Sequence, residues 1–547
     1  MTTKRRTTFG TAAAMCLVVG LGACSGGDSG EEAEEVVSEK NLGAMQDYGV
    51  GDTFKATEPV SFSLLYRDHP NYPNNPDWLF YQKLREQQGV TLEPTLAPLS
   101  DWEQRRSLVI GAGDAPDFIP VTYPGQETPY VASGAILAVS DYVDLMPNFK
   151  DKVAKWELED ELDTLRQEDG KFYLLPGLLE NLRPDYTPAL RTDVLEQLGL
   201  QQPTTWDEFR DVLRAVKQAH PDAYPFSDRW EGKALLNYVD APFGTAAGEW
   251  GFGQGVTWDE DAGEYVFTAT TDEYKAMVEY LHGLVAEGLM DPESFTQSDE
   301  AALAKLANQQ SYGISTNSQE VLGARTALDE TLGAGNYGLS KIVLPAGPAG
   351  DVVGGTQLEN GLMISSDAVE NDDFVAMMQF IDWLYYSDEG LEFSKWGVEG
   401  TTYDVVDGKR APAADVTFTG LNPGAPKAMQ KDFGFFNGVY LFASGSTQEL
   451  VLSNLYEEEA TWQQAMAEKE PEPVAPPAPL SEGEREQASL YQTALTDLTL
   501  QATLQFILGQ RDIADWDAFE AELEAANVAA YVDLVNAAQK RYAEKNG

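Results

Sequence analysis

The chain has 547 residues, 43% hydrophobic and 23% charged, which is ample for a sizeable core and too long for one ordinary domain of about 100–200 residues. Two or more lobes are therefore expected. Asp and Glu number 89 against 37 Lys and Arg, so the net charge of -52 argues against nucleic acid and polyanionic substrates unless basic groups gather locally.

Lys4-Arg5-Arg6 followed by the apolar stretch Phe9 to Ala23 reads as a signal peptide over residues 1–23, too short for a membrane span. Leu21-Gly22-Ala23-Cys24 resembles the lipobox of bacterial lipoproteins, so Cys24 is expected to carry a diacylglycerol anchor at the extracytoplasmic face of the cell membrane. Arg5-Arg6 only loosely resembles a twin-arginine signal, and the general secretory route is favoured. Cys16 leaves with the leader. A mature chain with one cysteine has no intrachain disulfide or thiolate metal site, and only His69, His220 and His282 are available for histidine chemistry. Neither a metal nor a cofactor is expected.

Residues 24–55, rich in Gly, Ser and Glu at their start, read as a flexible acidic tether, and the Gly27-Asp-Ser-Gly30 within it as an accidental match to a protease motif. The globular part opens with a strand over 60–66, a Pro/Asn-rich loop over 67–76, a helix over 77–88, a strand over 91–96, a helix over 102–110 and a strand over 117–123. This alternation implies a mostly parallel sheet, whose ligands bind beyond the carboxyl ends of its strands. Arg67, Asp68, His69 and Tyr123 stand at such ends.

Further strands are expected at 171–176, 188–193 and 224–227. Thr205 reads as an N-cap with Glu208 at the capping-box position. Asp272 to Glu287 and Phe374 to Tyr386 read as amphipathic helices, and helices are placed at 484–508, 516–526 and 529–545 after a Pro-rich loop over 468–480. Among the 11 Trp, Trp206, Trp383 and Trp516 sit at helix starts or in an apolar helix and read as core. Trp230 and Trp250 stand in polar or Gly-rich surroundings, where a flat ring can stack on a sugar. The Asp259 to Glu264 stretch lacks a full calcium-loop pattern and reads as a hairpin turn.

Five segments, DGKFYLLPGL (169–178), LRTDVLEQLGLQQPTTWDEFRDVLRAVKQAHPDAYPF (190–226), TTDEYKAMVEYLHGLVAEGLMDPE (270–293), WGVEGTTYDVVDGK (396–409) and 506–542, together resemble the extracellular solute-binding proteins of bacterial ABC importers, family 1, in its long lipoprotein branch. The resemblance runs from about residue 60 to the end and fits less well over 244–255. It implies an α/β, two-lobe periplasmic-binding-protein-like fold of type II, with three inter-lobe crossings and a helical C-terminal region. By that analogy the crossings fall near Leu182 to Ala189, Val352 to Gly361 and Trp396 to Tyr403. Lobe 1 is then 56–182 plus 353–396 and lobe 2 is 183–352 plus 397–547.

The implied function is capture of a carbohydrate, an oligosaccharide above all, by lobe closure and its delivery to ABC permease subunits, with a monomer expected. The contact set comprises Arg67, Asp68, His69 and Tyr123 from lobe 1, Glu180 and Asn181 near the first crossing, Trp230, Trp250 and Asn317 from lobe 2, and Glu399 and Tyr403 at the third crossing. A peptide or other solute, a glycoside hydrolase using Glu180 and Glu399, and a scaffolding lipoprotein are the alternatives. Glu399, between two glycines in WGVEGTTY, reads as a hinge or cleft-floor carboxylate rather than a catalytic acid.

Overall fold

The computed structural model describes residues 39–436 and 445–546. The leader, Cys24 and the first part of the tether lie outside the described residues. In chain order the strands that frame the site are β1 (Val60–Asp68), β2 (Val90–Pro98), β3 (Phe118–Thr122), β4 (Leu175–Leu178), β5 (Thr187–Leu190), β6 (Val256–Asp259), β7 (Glu264–Phe267), β8 (Gly313–Thr316), β9 (Ser340–Lys341), β10 (Val352–Val353) and β11 (Leu358–Ile364).

Lobe 1 is built on a five-stranded sheet of order β2-β1-β3-β11-β4. β1 runs parallel to β2 and β3, whereas β11 is antiparallel to both β3 and β4. The sheet is thus parallel apart from one reversed strand, which enters the lobe on its return from lobe 2. Side chains alternate across it: Phe62, Leu64 and Tyr66 enter one core and Leu65 the other, so both faces are covered. The helix Phe374–Tyr386, expected to be amphipathic, is buried on every side. FVAMMQFIDWLYY is apolar on every face apart from Gln379 and Asp382, and such a helix belongs inside a lobe rather than on its surface. Its Asp382 accepts the backbone N–H groups of Asn148 and Phe149, at the start of the helix Pro147–Lys155, together with the Tyr48 hydroxyl.

Tyr48 belongs to the segment expected as tether. Instead, residues from about Asn41 to Lys55 are docked: Met45 exchanges bonds with Gln379, and Phe54 is fully buried in the lobe 1 core. Met45, Tyr48 and Phe54 supply the apolar anchors.

Lobe 2 carries a three-stranded sheet, β8-β5-β9, antiparallel throughout about β5. The helices Trp206–Ala219 and Asp272–Ala286 cover one face, and Thr205 and Thr271 cap them by accepting the N–H of Glu208 and Tyr274. The C-terminal helices Glu482–Ile507, Trp516–Ala525 and Val528–Asn546 extend the same core through Phe506, Trp516, Phe519 and Tyr531. β6 and β7 form the expected hairpin, in which the Asp259 carboxylate accepts the N–H groups of Asp261 and Ala262.

The two cores show where the chain passes between the lobes. Leu178 is in the lobe 1 core while Leu182 packs on lobe 2; on the return, Val353 is in the lobe 2 core and Leu358 in that of lobe 1. After Trp396 the described residues pack with lobe 1, burying Tyr403, Val416, Phe418, Phe435 and Leu450 in its core, and lobe 2 resumes with Tyr456 and Trp462. Residues 397–436 and 445 to about 453 therefore pack with lobe 1, and the described chain returns to lobe 2 near 454–456.

Candidate functional site

The register of the strands fixes which edges meet the crossings. β4 ends at Leu178, where the first crossing leaves, and β11 begins beside it, with Leu358 opposite Leu178 and Gly361 opposite Thr122. The carboxyl ends of β1 and β3 share that edge. In lobe 2, β5 begins at Thr187 directly after the crossing and faces Thr316, so β8 also ends at the crossing side. The segment through Phe226 and Ser227 runs alongside β8, with Ser227 N–H donating to Gly313 and Ser315 N–H to the Asp228 carboxylate, and it delivers Trp230 to the same edge.

On lobe 2 three rings converge. Trp230 lies 5.3 Å from Tyr186 and 6.3 Å from Trp250, and Tyr186 lies 5.5 Å from Trp250. Trp250 is 45% exposed, which leaves ring surface open for a ligand. The Asn317 side-chain oxygen accepts the N–H groups of Gln319 and Glu320, and its side chain lies beside the Tyr186 hydroxyl. Trp230, Trp250 and Asn317, expected from position alone, are thus brought together. Tyr186 completes the group and was not expected, because PDYTPAL reads only as a crossing segment. Behind them Asp228 is fully buried, and burial pushes its carboxyl up to about 6.

On lobe 1 the end of β1 is occupied by its own loop. Asp68 accepts the N–H of Asn74 at 2.7 Å, and His69 Nδ1 accepts that of Asn71 at 3.1 Å. The His69 ring stacks on Tyr72 at 4.3 Å, and burial with the nearby Arg67 holds its pKa below the usual histidine value. These groups brace the loop over 69–77. Tyr123 is 39% exposed beyond β3. It follows a backbone outlier: Val121, β-branched and buried, has φ 56°. The buried Arg106 donates to the Val121 carbonyl at 3.1 Å and to Gln126 at 2.9 Å, and Gln126 in turn accepts the Tyr123 N–H. Arg106 and Val121 carried no signal in the sequence, since φ is not legible in Pro-Val-Thr-Tyr.

Four expected contacts, Glu180, Asn181, Glu399 and Tyr403, have other duties or places. Glu180 Oε2 accepts the N–H of Gln448 at 2.6 Å, while Gln357 Nε2 donates to the carbonyls of Leu179 and Glu180 at 3.0 Å. Glu180 therefore joins segments beside the three crossings, and Asn181 is exposed next to it. Glu399 is exposed on a lobe 1 turn. Tyr403 is buried in the lobe 1 core, where its hydroxyl donates to Glu392, itself paired with Arg410. No group of three or more His, Cys, Asp or Glu among the described residues could hold a metal ion. No helix among them is long and apolar enough to cross a membrane.

Residues 79–390 match the model of the bacterial extracellular solute-binding protein family. The chain belongs to this family. Among curated proteins, the fructooligosaccharide ABC transporter substrate-binding protein FusA of Streptococcus pneumoniae is 27% identical over 388 residues, 66% of this chain and 68% of FusA. Lipoprotein LipO of Bacillus subtilis is 23% identical over 381 residues, 66% of this chain and 69% of LipO. An HMO-binding, ABC-transporter-associated solute-binding protein of Bifidobacterium longum infantis superposes with a TM-score of 0.66 at 20% identity, covering 89% of this chain and 99% of that one. FusA in complex with kestose gives 0.60 at 20% identity, covering 89% of this chain and 100% of FusA. These likenesses establish the two-lobe α/β solute-binding fold, and FusA is by name an ABC transporter substrate-binding protein.

Proposed function

We propose that the protein is the substrate-binding component of an ABC importer and captures an oligosaccharide between its lobes. The observation that carries this reading is the cluster of Tyr186, Trp230 and Trp250 at the crossing-side edge of lobe 2, with the Asn317 amide beside it. Flat rings stack on the apolar CH faces of sugars, and neighbouring amides and charged groups bond the hydroxyls. Tyr123 and His69 supply the facing side from lobe 1. A ligand touching both lobes stabilises the closed form by its differential affinity, and that form is the one presented to the permease subunits. The protein performs no chemistry on the sugar: Glu180 is engaged at the hinge, and Glu399 is exposed on a turn. Cys24 anchors it by lipid to the extracytoplasmic face of the membrane, and it works as a monomer.

The test is thermal unfolding of the soluble chain from residue 39 onward with kestose, nystose, N-glycan fragments, uronate oligosaccharides and short peptides. A saccharide at about 100 times its Kd adds about 2.7 kcal/mol and raises Tm. A rise with one saccharide class supports the reading; no rise with any saccharide, or a rise with peptides alone, overturns it. Loss of membrane association in full-length Cys24→Ala checks the anchor, and unchanged association rejects it.

A further inference from the structure

Trp230 occupies an unusual backbone. Trp230, Glu231 and Gly232 have φ of 55°, 54° and 77°, three left-handed residues in succession. For the two that are not glycine this costs roughly 1–2 kcal/mol each, and such a turn persists only where its surroundings determine it. Gly232 is required, since a Cβ there would lie 2.5 Å from ring carbons of Phe295. The rest of the restraint is electrostatic. The Trp230 N–H donates to Asp299 Oδ1 at 2.9 Å, and the buried Arg229 guanidinium reaches Asp299 Oδ2 at 3.3 Å and Glu320 Oε2 at 2.7 Å. Asp299 and Glu320 open the helices Asp299–Ala307 and Glu320–Leu332, so both carboxylates project from fixed elements. The Arg229 Cζ lies 4.3 Å from the centroid of the Trp230 ring.

We propose that Arg229 is a positioning residue for sugar binding: clamped by Asp299 and Glu320, its guanidinium lies against the Trp230 indole and holds the left-handed turn, so that the ring's remaining surface, beside Tyr186 and Trp250, meets the sugar. The proposal rests on the carbohydrate reading above. The role needs a plane and two directed bonds at once, which arginine provides and lysine, a point charge on a flexible stem, does not. Lys233 extends the arrangement by bridging Glu231 at 3.1 Å and Glu249 at 2.9 Å, which ties the Trp230 turn to the segment bearing Trp250.

The experiment compares Arg229→Lys, Trp230→Ala, the two combined, and Glu320→Gln in the soluble chain from residue 39 onward. Affinity is measured calorimetrically for kestose, or for whichever saccharide of the panel above raises the wild-type Tm most. Arg229→Lys is expected to weaken binding roughly 5–30-fold, the range of a desolvated cation–π contact. Glu320→Gln should weaken it less. The double variant should bind no more weakly than Trp230→Ala alone, because the arginine acts through the ring; losses that multiply, or wild-type affinity in Arg229→Lys, overturn the proposal. A readout without ligand separates this from the carbohydrate reading. The near-ultraviolet circular dichroism difference between wild type and Trp230→Ala reports the fixed Tyr186, Trp230 and Trp250 geometry. Arg229→Lys should lose that contribution even if no saccharide binds, and a wild-type spectrum in Arg229→Lys rejects the positioning role.

Discussion

Thr402 organises the turn on which Glu399 is displayed. Its hydroxyl donates to the Trp396 carbonyl at 2.6 Å and accepts the Val398 N–H at 2.7 Å. Gly397, at φ 85°, lies so close that a Cβ would meet that hydroxyl at 2.6 Å and the Phe435 ring at 2.7 Å. Trp396 itself is buried and donates to the Ser453 hydroxyl, so the turn is sealed into lobe 1. Replacing the hydroxyl by a methyl in Thr402→Val leaves two main-chain groups unpaired away from water, for which about 1–3 kcal/mol of lost stability is expected. Glu399→Gln changes only an exposed side chain, so its stability should stay within about 0.5 kcal/mol of wild type, with saccharide affinity unchanged. Urea unfolding and calorimetry check both. A loss of affinity in Glu399→Gln would return that carboxylate to the ligand site.

Elements that their own sequence specifies were legible, and those specified by distant packing were not. β1, β2 and β3 and the helices Trp206–Ala219 and Asp272–Ala286 carry their periodicity and caps locally. The glycines of WGVEGTTY suit a hinge and a tight turn equally, and only the burial of Phe418, Phe435 and Leu450 in lobe 1, long after them in the chain, decides for the turn. The aromatic cluster was half legible: Trp230 and Trp250 stood out by their polar surroundings, but a tyrosine on a crossing segment does not advertise that it folds between them. The return to lobe 2 near 454–456 is held by a charge pair that carries no local signal. Lys341 Nζ bonds Glu459 Oε1 at 2.8 Å and the Asp185 carbonyl at 3.1 Å, and lies 3.3 Å from the Trp462 ring centroid. Gln463, on the same helix as Glu459, donates to the Pro184 carbonyl, so the first crossing and this return are tied together on lobe 2. Lys341 and Glu459 are both buried, and removing one partner strands the other charge; Lys341→Met should therefore cost about 3–5 kcal/mol. Adding Glu459→Leu should recover much of that loss. Unfolding by denaturant measures both, and a double variant less stable than Lys341→Met alone would mean that Glu459 is held by groups other than the lysine.

Across the whole molecule, burial of acids and a net charge of -52 bear on stability in the same direction. Burial raises Asp228 and Asp382 to about 6 and Glu127 to about 7, and all three are almost fully inaccessible. In the unfolded chain such groups titrate near 4. Between the unfolded and the raised folded values the native state retains a proton that the unfolded chain has released, so stability falls as pH rises through the window from about 4 to 7. For Asp382 the rise from near 4 to about 6 corresponds to on the order of 2–3 kcal/mol, a penalty fully present above its folded value and progressively relieved as pH falls below it. Self-repulsion of the acidic surface also weakens as carboxylates take up protons. The opposite effect comes from acids held low by arginines. Glu287, bonded by Arg214 and Arg210, and Glu484, bonded by Arg541 and by its capping box with Ser481, sit at about 2. Their contribution is present above about 4 and is lost as pH falls toward 2. Tm is therefore expected to rise as pH is lowered from 8 to about 5 and to fall again below about 4. Scanning calorimetry across that range checks the shape, and a Tm that declines steadily from pH 8 to 5 contradicts it. Asp382→Asn assigns part of the slope to one group. The variant cannot ionise, so its stability should change less between pH 7 and 5 than that of the wild type; an unaltered slope would place the effect in the surface charge instead.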